Sequence, residues 1–291
     1  MVKQWIWKAF ENIRKNPILY IPDVCMAFIV SLTLILIYQY TGAANLFQLL
    51  QSTQNSPLIT LTGFLSEKWK ELLISGVAFF FVTFIFGATT IVLKFTMFYE
   101  LLSGKSISLR TVWKEKKGYF WPVVFLRIII FILGIFSFAL AILLSVGLYF
   151  FLHFLFPQNI AWGITLALGI ILGLSILVYL KVALLFRYPI MFLKQIKNPW
   201  KVLRESNALL RTEPPFVIST AGVVILLLII FSAGMYILNV GVSYVISFFA
   251  LSLFATICTV LWAVISQLIN ITVDLWSTMY IFLKWKEQPK E

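Results

Sequence analysis

Five ionisable residues lie inside long apolar runs of the sequence, where a charge needs a polar partner or a ligand. They are Asp23, Lys94, Arg127, Lys181 and Asp274. Each such charge costs about 2.5 to 3.5 kcal/mol at the centre of a membrane helix, so we do not expect five of them to face lipid unpaired. Counted from the basic end of each run at about 1.5 Å per residue, all five lie roughly 9 to 15 Å deep. We therefore expect them to meet in one polar site.

Two polar stripes at helical spacing extend this site. The stripes consist of Gln267, Asn270, Asp274 and Thr278 in the last apolar run and of Thr83, Gly87, Thr90 and Lys94 in the second. Because residues three or four apart share one face of a helix, each stripe predicts a helix that turns a polar face inward. The candidate ligand-binding residues are Lys94, Arg127, Lys181, Asp274, Asn270, Gln267 and Asp23.

Simpler explanations exist for several of these residues. The long side chains of Lys94 and Lys181 could reach the headgroups by themselves. Asp23 follows Pro22 and could stabilise the start of a helix. Arg127 and Asp274 lie deeper, and an aspartate cannot reach far, so an interior position is favoured for both. Hydrogen bonds between helices, without a ligand, are the alternative explanation for the stripes.

Patterns typical of catalysis and of metal binding are absent from the sequence. His153 is the single histidine, and no set of His, Cys, Asp and Glu has the spacing of metal ligands. There is no phosphate-binding loop and no nucleophile elbow. The basic residues are dispersed in short loops without a nucleic-acid motif. We therefore expect no enzyme activity, no metal or other cofactor, and no nucleic-acid partner.

The composition indicates one membrane domain that covers residues 1–291. The chain is 61% hydrophobic and only 12% charged, with a mean hydropathy of +0.98, whereas about 25% charged residues is usual for soluble proteins. Spans of about 20 residues use up the whole length. We expect an all-α, polytopic integral membrane protein, built as a bundle of six transmembrane helices.

Six spans account for the apolar runs. They are residues 18–40, 72–99, 119–143, 160–187, 216–238 and 257–283. The third run continues to residue 156, and a straight helix of that length would measure about 57 Å against a hydrocarbon core of about 30 Å. We therefore expect an outer interfacial or re-entrant piece after residue 143, and a second one at 240–256.

The distribution of charge predicts the orientation. The protein carries a formal charge of +12, yet residues 41–66 contain no charged side chain, as is typical of an external segment. Lys284, Lys286 and Lys290 follow the last span and should be cytoplasmic. With six spans, both termini lie in the cytoplasm and the protein resides in the cell membrane, with the lipid bilayer as its first partner.

Three amphipathic segments are expected to form helices on the cytoplasmic surface. They are Val2–Lys15, 108–117 and 199–211, each with apolar residues at helical spacing and basic residues elsewhere. Basic residues near a membrane surface attract anionic phospholipid, by about 1 kcal/mol each.

Two stretches resemble a known group of proteins. Arg187-Tyr188-Pro189 and residues 202–211 look like the region after the fourth span of many six-span prokaryotic membrane proteins of unknown role. That group includes the membrane domain of some glycerophosphoryl diester phosphodiesterases. Residues 8–18 are similar to its helix-then-Asn-Pro opening. Two departures are Val202, where a small residue is usual, and the lack of an attached phosphodiesterase domain. The resemblance implies the six-span topology and no enzyme activity.

The charges of the expected site predict what it binds. Lys94, Arg127 and Lys181 against Asp23 and Asp274 leave one net positive charge, which favours an anion. We expect a polar cavity, open to the cytoplasm, that binds or translocates an anionic lipid or a small solute. The alternative is a structural or accessory membrane subunit with no ligand, which holds a membrane-protein partner or assists the assembly of one.

Overall fold

The computed structural model describes residues 2–43, 57–105, 107–247 and 253–286. Within these ranges the regular elements are all helical. Ten α-helices are α1 (Val2–Lys15), α2 (Ile21–Thr41), α3 (Pro57–Leu102), α4 (Leu109–Lys116), α5 (Phe120–His153), α6 (Gln158–Ala183), α7 (Arg187–Leu193), α8 (Pro199–Thr212), α9 (Pro214–Ser247) and α10 (Leu253–Lys286). Short 3₁₀ turns at Pro17–Tyr20 and Lys117–Tyr119 precede α2 and α5.

Six of these helices are long and apolar enough to cross a membrane, and each covers most of one of the six predicted spans. They are α2, α3, α5, α6, α9 and α10. Each packs against its two neighbours in the order α2, α3, α5, α6, α9, α10 and back to α2, so they form a closed ring, and α3 and α10 also contact each other across it. The all-α class and the number of apolar spans are thus confirmed.

The long helices extend further than the sequence predicted. Helix α5 continues from Phe120 to His153 without the break expected near residue 143, and α9 runs on to Ser247. The expected break between the third span and a separate outer piece at 144–157 is therefore wrong. Gly147 is its strongest turn signal, and one glycine costs a helix only about 1 kcal/mol. Helix α3 starts at Pro57, inside the expected external segment 41–66.

Two predicted outer segments fall partly on residues that the structure does not describe. Of the expected external segment 41–66, residues 44–56 lie outside the described ranges, and so do residues 248–252 of the expected outer piece 240–256. The described parts of the latter, up to Ser247 and from Leu253, are helical.

One end of the ring is tightly packed, and the rest of it is open. The packed end contains the start of α2, α5 and α9 and the last turns of α3, α6 and α10. Leu19, Phe98, Leu126 and Phe282 are fully buried there, whereas apolar side chains such as Leu143 are largely exposed near the other end. In a membrane-embedded protein, such exposed apolar surface would be covered by lipid.

The short helices cover the packed end, and three of them lie where amphipathic segments were predicted. Helix α1 buries Ala9 and Ile13, and its Ile6 carbonyl accepts a hydrogen bond of 2.7 Å from Trp276 Nε1 of α10. The side chain of Asn198 caps the start of α8 by accepting from the backbone nitrogens of the next turn. Buried Ser206 of α8 donates 2.7 Å to the carbonyl of Ala183, which ties α8 to the end of α6.

Candidate functional site

A lysine between two aspartates joins three helices of the ring. Lys94 of α3 donates to Asp23 Oδ1 of α2 at 3.0 Å and to Asp274 Oδ2 of α10 at 2.7 Å. The lysine is 6% exposed. One ammonium group therefore neutralises one carboxylate, and the triad keeps a formal charge of −1.

Local sequence explains how the two aspartates reach this lysine. Asp23 lies in the first turn of α2, directly after buried Pro22, and pairs with Lys94 instead of capping its own helix. Its second oxygen, Oδ2, is buried and has no hydrogen-bond partner among the described residues. The side chain of Asp274 is 62% exposed, so this carboxylate faces open space beside the lysine.

Arg127 of α5 lies against α3 rather than against an aspartate. Its Nη1 donates 2.9 Å to the carbonyl of Phe84, and its guanidinium carbon is 4.7 Å from the centre of the Phe84 ring. Gly87 makes this approach possible, because a Cβ there would stand 2.2 Å from Arg127 Nη1. None of the ion pairs among the described residues includes Arg127.

Arg187 is a second arginine without a carboxylate. It is the first residue of α7, directly after the turn that ends α6. Its Nη1 donates 2.7 Å to the Leu184 carbonyl, and its guanidinium carbon lies 4.6 Å from the centre of the Tyr188 ring. Its Nε is buried with no hydrogen-bond partner in the described part of the chain.

A cavity of about 680 Å³ brings the triad and the two arginines together. Its polar lining consists of Asp23, Thr83, Thr90, Lys94, Arg127, Arg187, Tyr188, Asp274 and Thr278. Three cations face two carboxylates, so the formal charge is +1. Among the ion pairs of the described residues, neither arginine is paired with a carboxylate, and both aspartates of the cavity bind Lys94 instead.

Aromatic side chains close the cavity toward the packed end. The rings of Phe95 and Phe282 stack at 5.1 Å, and those of Phe95 and Tyr188 at 4.6 Å. Toward the open end, the lining includes Phe131, which is half exposed, and Phe80, whose ring lies 5.2 Å from it. We expected an opening on the side of the amphipathic helices. The buried aromatic layer occupies that side, because α7 folds back into the end of the ring.

Four of the seven predicted site residues line this cavity. They are Asp23, Lys94, Arg127 and Asp274. Lys181 does not line it: it is exposed on α6, because the chain turns only after Ala183 and α7 then enters the ring. Gln267 and Asn270 are also exposed and lie outside the cavity, which ends along α10 at the level of Asp274. The stripe on α10 thus continues past the site.

Sequence reasoning did not assign Arg187 and Tyr188 to the site. The Arg187-Tyr188-Pro189 pattern was visible, and Pro189 near the start of a short helix is a signal for a break in the chain. Counting residues along the helix places residue 187 at the end of the fourth span, outside the site. It returns into the ring only because the chain turns at residues 184–186, and the sequence did not predict this turn. The stripe of α3, by contrast, lines the cavity along all four of its residues.

No protein-family model matches the chain, and no curated protein or solved structure matches it either. The resemblance to six-span prokaryotic membrane proteins therefore stays an expectation. Among residues 2–43, 57–105, 107–247 and 253–286, no three His, Cys, Asp or Glu side chains are grouped so that they could hold a metal ion.

Proposed function

We propose that this chain is an integral membrane protein whose cavity binds a phosphate-bearing anion, either an anionic lipid headgroup or a small solute. The observation that carries the proposal is the pair Arg127 and Arg187, two guanidinium groups at one cavity that form no ion pair with a carboxylate of the described residues. A guanidinium is always charged, and its planar set of donors matches two oxygens of a phosphate. We propose no enzymatic step.

The charge pattern supports an orientation with α1, α4, α8 and both termini in the cytoplasm. The packed end of the ring then faces inward, and the short helices lie at the inner leaflet of the cell membrane, where their basic residues attract anionic phospholipid. In this orientation the aromatic layer separates the cavity from the cytoplasm. A ligand would enter past Phe80 and Phe131, from the bilayer or from the outer side.

A structural role is the second candidate, and the triad favours it. Lys94 holds α2, α3 and α10 together without any ligand, and Arg127 is satisfied in part by the Phe84 carbonyl. The protein would then be an accessory subunit whose polar interior only joins its helices. The two candidates differ in whether the arginines bind something besides protein.

The test compares Arg127→Gln with Lys181→Gln, which removes a membrane-level cation outside the cavity. We expect Arg127→Gln to weaken anion binding about tenfold or more, since a hydrogen bond between charged groups is lost, and Lys181→Gln to leave it unchanged. Two probes distinguish the sources: phosphatidylglycerol retained through purification, measured by native mass spectrometry, and glycerol 3-phosphate, measured by calorimetry. If the two variants bind both probes equally well, the cavity is not the anion site, and the structural role is the candidate that remains.

A further inference from the structure

A second cavity, of about 560 Å³, lies on the hairpin of α5 and α6, away from the charged site. Its lining is almost entirely apolar, with Tyr149 and Trp162 at the end near the α5–α6 turn and Leu177 toward the other. Small residues form its base: Ser145 on α5 and Gly169 and Gly173 on α6. We call this cavity the hairpin groove.

The base of the groove contains one polar group that the protein leaves unsatisfied. Thr165 is 6% exposed, lines the groove, and has a buried hydroxyl without a hydrogen-bond partner in the described structure. Threonines in helices commonly donate to the carbonyl four residues earlier, as Thr33 and Thr83 do here at 2.7 and 2.8 Å. The hydroxyl of Thr165 does not, so it has no protein acceptor to give up when a rotation about χ1 turns it toward a molecule in the groove.

The dimensions of the groove decide which molecule fits. From Trp162 to Leu177 the helix advances about 22 Å, so the volume corresponds to a mean cross-section of about 25 Å². A hydrocarbon chain whose carbons are in contact at about 4 Å needs roughly 20 Å². A transmembrane helix with a diameter of about 10 Å needs roughly 80 Å². The mean cross-section of the groove therefore matches one acyl chain and is well below that of a helix.

The position of Thr165 fits the oxygen that such a chain carries. It lies seven residues after the start of α6, or about 10 Å along the axis. The aromatic rings of Tyr149 and Trp162, 5.7 Å apart, stand at the same end, as side chains at a membrane interface do. An acyl chain that enters beside these rings would bring its ester carbonyl, an acceptor, near the Thr165 hydroxyl.

We propose that the hairpin groove binds one acyl chain of an ester-linked membrane lipid, and that Thr165 donates a hydrogen bond to the ester carbonyl. The site would hold its lipid by the chain and the ester, whatever the headgroup. The proposal rests on the membrane embedding proposed above but not on anion binding by the cavity.

The first experiment labels the full-length protein, in bilayers of phosphatidylcholine, with a phosphatidylcholine that carries a photoreactive diazirine in one acyl chain. Gly173→Leu places a bulky side chain in the groove, and a Cβ at this position meets nothing within 4 Å. Gly163→Leu is the matched control: it is on the same helix, equally free of neighbours, and outside the groove. We expect Gly173→Leu to lower labelling of α5 and α6 peptides about tenfold and the control to leave it unchanged.

Equal labelling of the two glycine variants would overturn the proposal. So would a disulfide between two copies of the chain in a Gly173→Cys variant, because the groove would then face a second protomer. Arg127→Gln should leave the labelling unchanged, since Arg127 does not line the hairpin groove. The labelling experiment therefore tests lipid binding by the groove separately from anion binding by the charged cavity.

A second experiment tests the hydrogen bond of Thr165. The wild-type protein should retain ester-linked phosphatidylcholine about threefold or more better than its ether-linked counterpart, which lacks the carbonyl. Thr165→Val keeps the shape of the side chain but removes the donor, so this preference should disappear while labelling persists. An unchanged preference in Thr165→Val would show that the threonine has no part in binding.

Discussion

Lys94 is the residue on which the arrangement of the charged site depends. Its ammonium group is shared by Asp23 and Asp274, and neither carboxylate has another cation among the ion pairs of the described chain. A buried ion pair adds little net stability when it is complete, but removing one partner leaves an uncompensated charge. The triad therefore makes the three helices sensitive to the loss of this one residue.

We expect Lys94→Met to lower the free energy of unfolding by about 3 to 5 kcal/mol, because Asp23 would remain buried without a partner. Thermal unfolding of the purified protein in detergent measures the effect. The matched control is Lys181→Met, which removes an exposed lysine from α6.

The double variant Lys94→Met with Asp23→Asn should recover much of this loss, since no unpaired charge stays buried. Asp274 is mostly exposed and can be solvated when alone. If the single and the double variant melt at the same temperature, Asp23 is not stabilised by Lys94 and the triad has another role.

At the scale of whole elements, the approach of α3 to α5 at Gly87 positions Arg127. The missing side chain of the glycine leaves the space in which the guanidinium lies against α3. The same stripe of α3 supplies the lysine of the triad, so one helix face positions both parts of the site. Helix α7 supplies the second arginine by entering the ring after a turn.

We expect Gly87→Ala to displace Arg127 and to weaken binding of glycerol 3-phosphate as strongly as Arg127→Gln does. The added methyl group meets the flexible end of the arginine, and alanine favours a helix over glycine, so the free energy of unfolding should change by less than about 1 kcal/mol. Calorimetric titration and thermal unfolding measure the two effects.

Gly76→Ala on the same helix is the control for this prediction, because a Cβ at Gly76 meets nothing within 4 Å. Both variants gain the same helix propensity, but only one has a side chain beside Arg127. Normal binding in Gly87→Ala would mean that the position of Arg127 against Phe84 is not needed for the ligand.

At the scale of the whole molecule, the ring has one packed end and one open end, and the predicted topology assigns the packed end to the cytoplasm. A cysteine scan in a background that lacks Cys25 and Cys258 tests this assignment. We expect a cysteine at Ala208, exposed on α8, to react with a membrane-impermeant maleimide only from the inside. A cysteine at Ser52 should react only from the outside.

Labelling of both positions from the same side would contradict the six-span topology. Labelling of each position from the side opposite to the predicted one would show that the protein has the inverted orientation in the membrane. The packed end would then face outward, and the cavity would be reached from the cytoplasm or the bilayer.

The sequence by itself was sufficient for the class of fold, the number of apolar spans and the position of three of the four short α-helices, α1, α4 and α8. These features depend on composition and on local periodicity, which do not require knowledge of neighbouring elements. The stripe of α3 was predicted for the same reason: helical spacing alone puts Thr83, Gly87, Thr90 and Lys94 on one face. The length of α5 was not predicted. The thickness of a membrane limits the part of a helix that spans it, but the helix itself can continue beyond that part.

Only the tertiary structure decided which charges meet. Lys94, not Arg127, pairs with Asp274, because this depends on which helices are neighbours in the ring. Lys181 and Arg187 differ by six positions, yet the turn after Ala183 leaves the first outside the cavity and brings the second into it. The depth of a residue along its helix can be counted from the sequence. Which neighbouring helix its side chain contacts depends on packing between elements that are distant in the chain, and a local sequence pattern does not predict this packing.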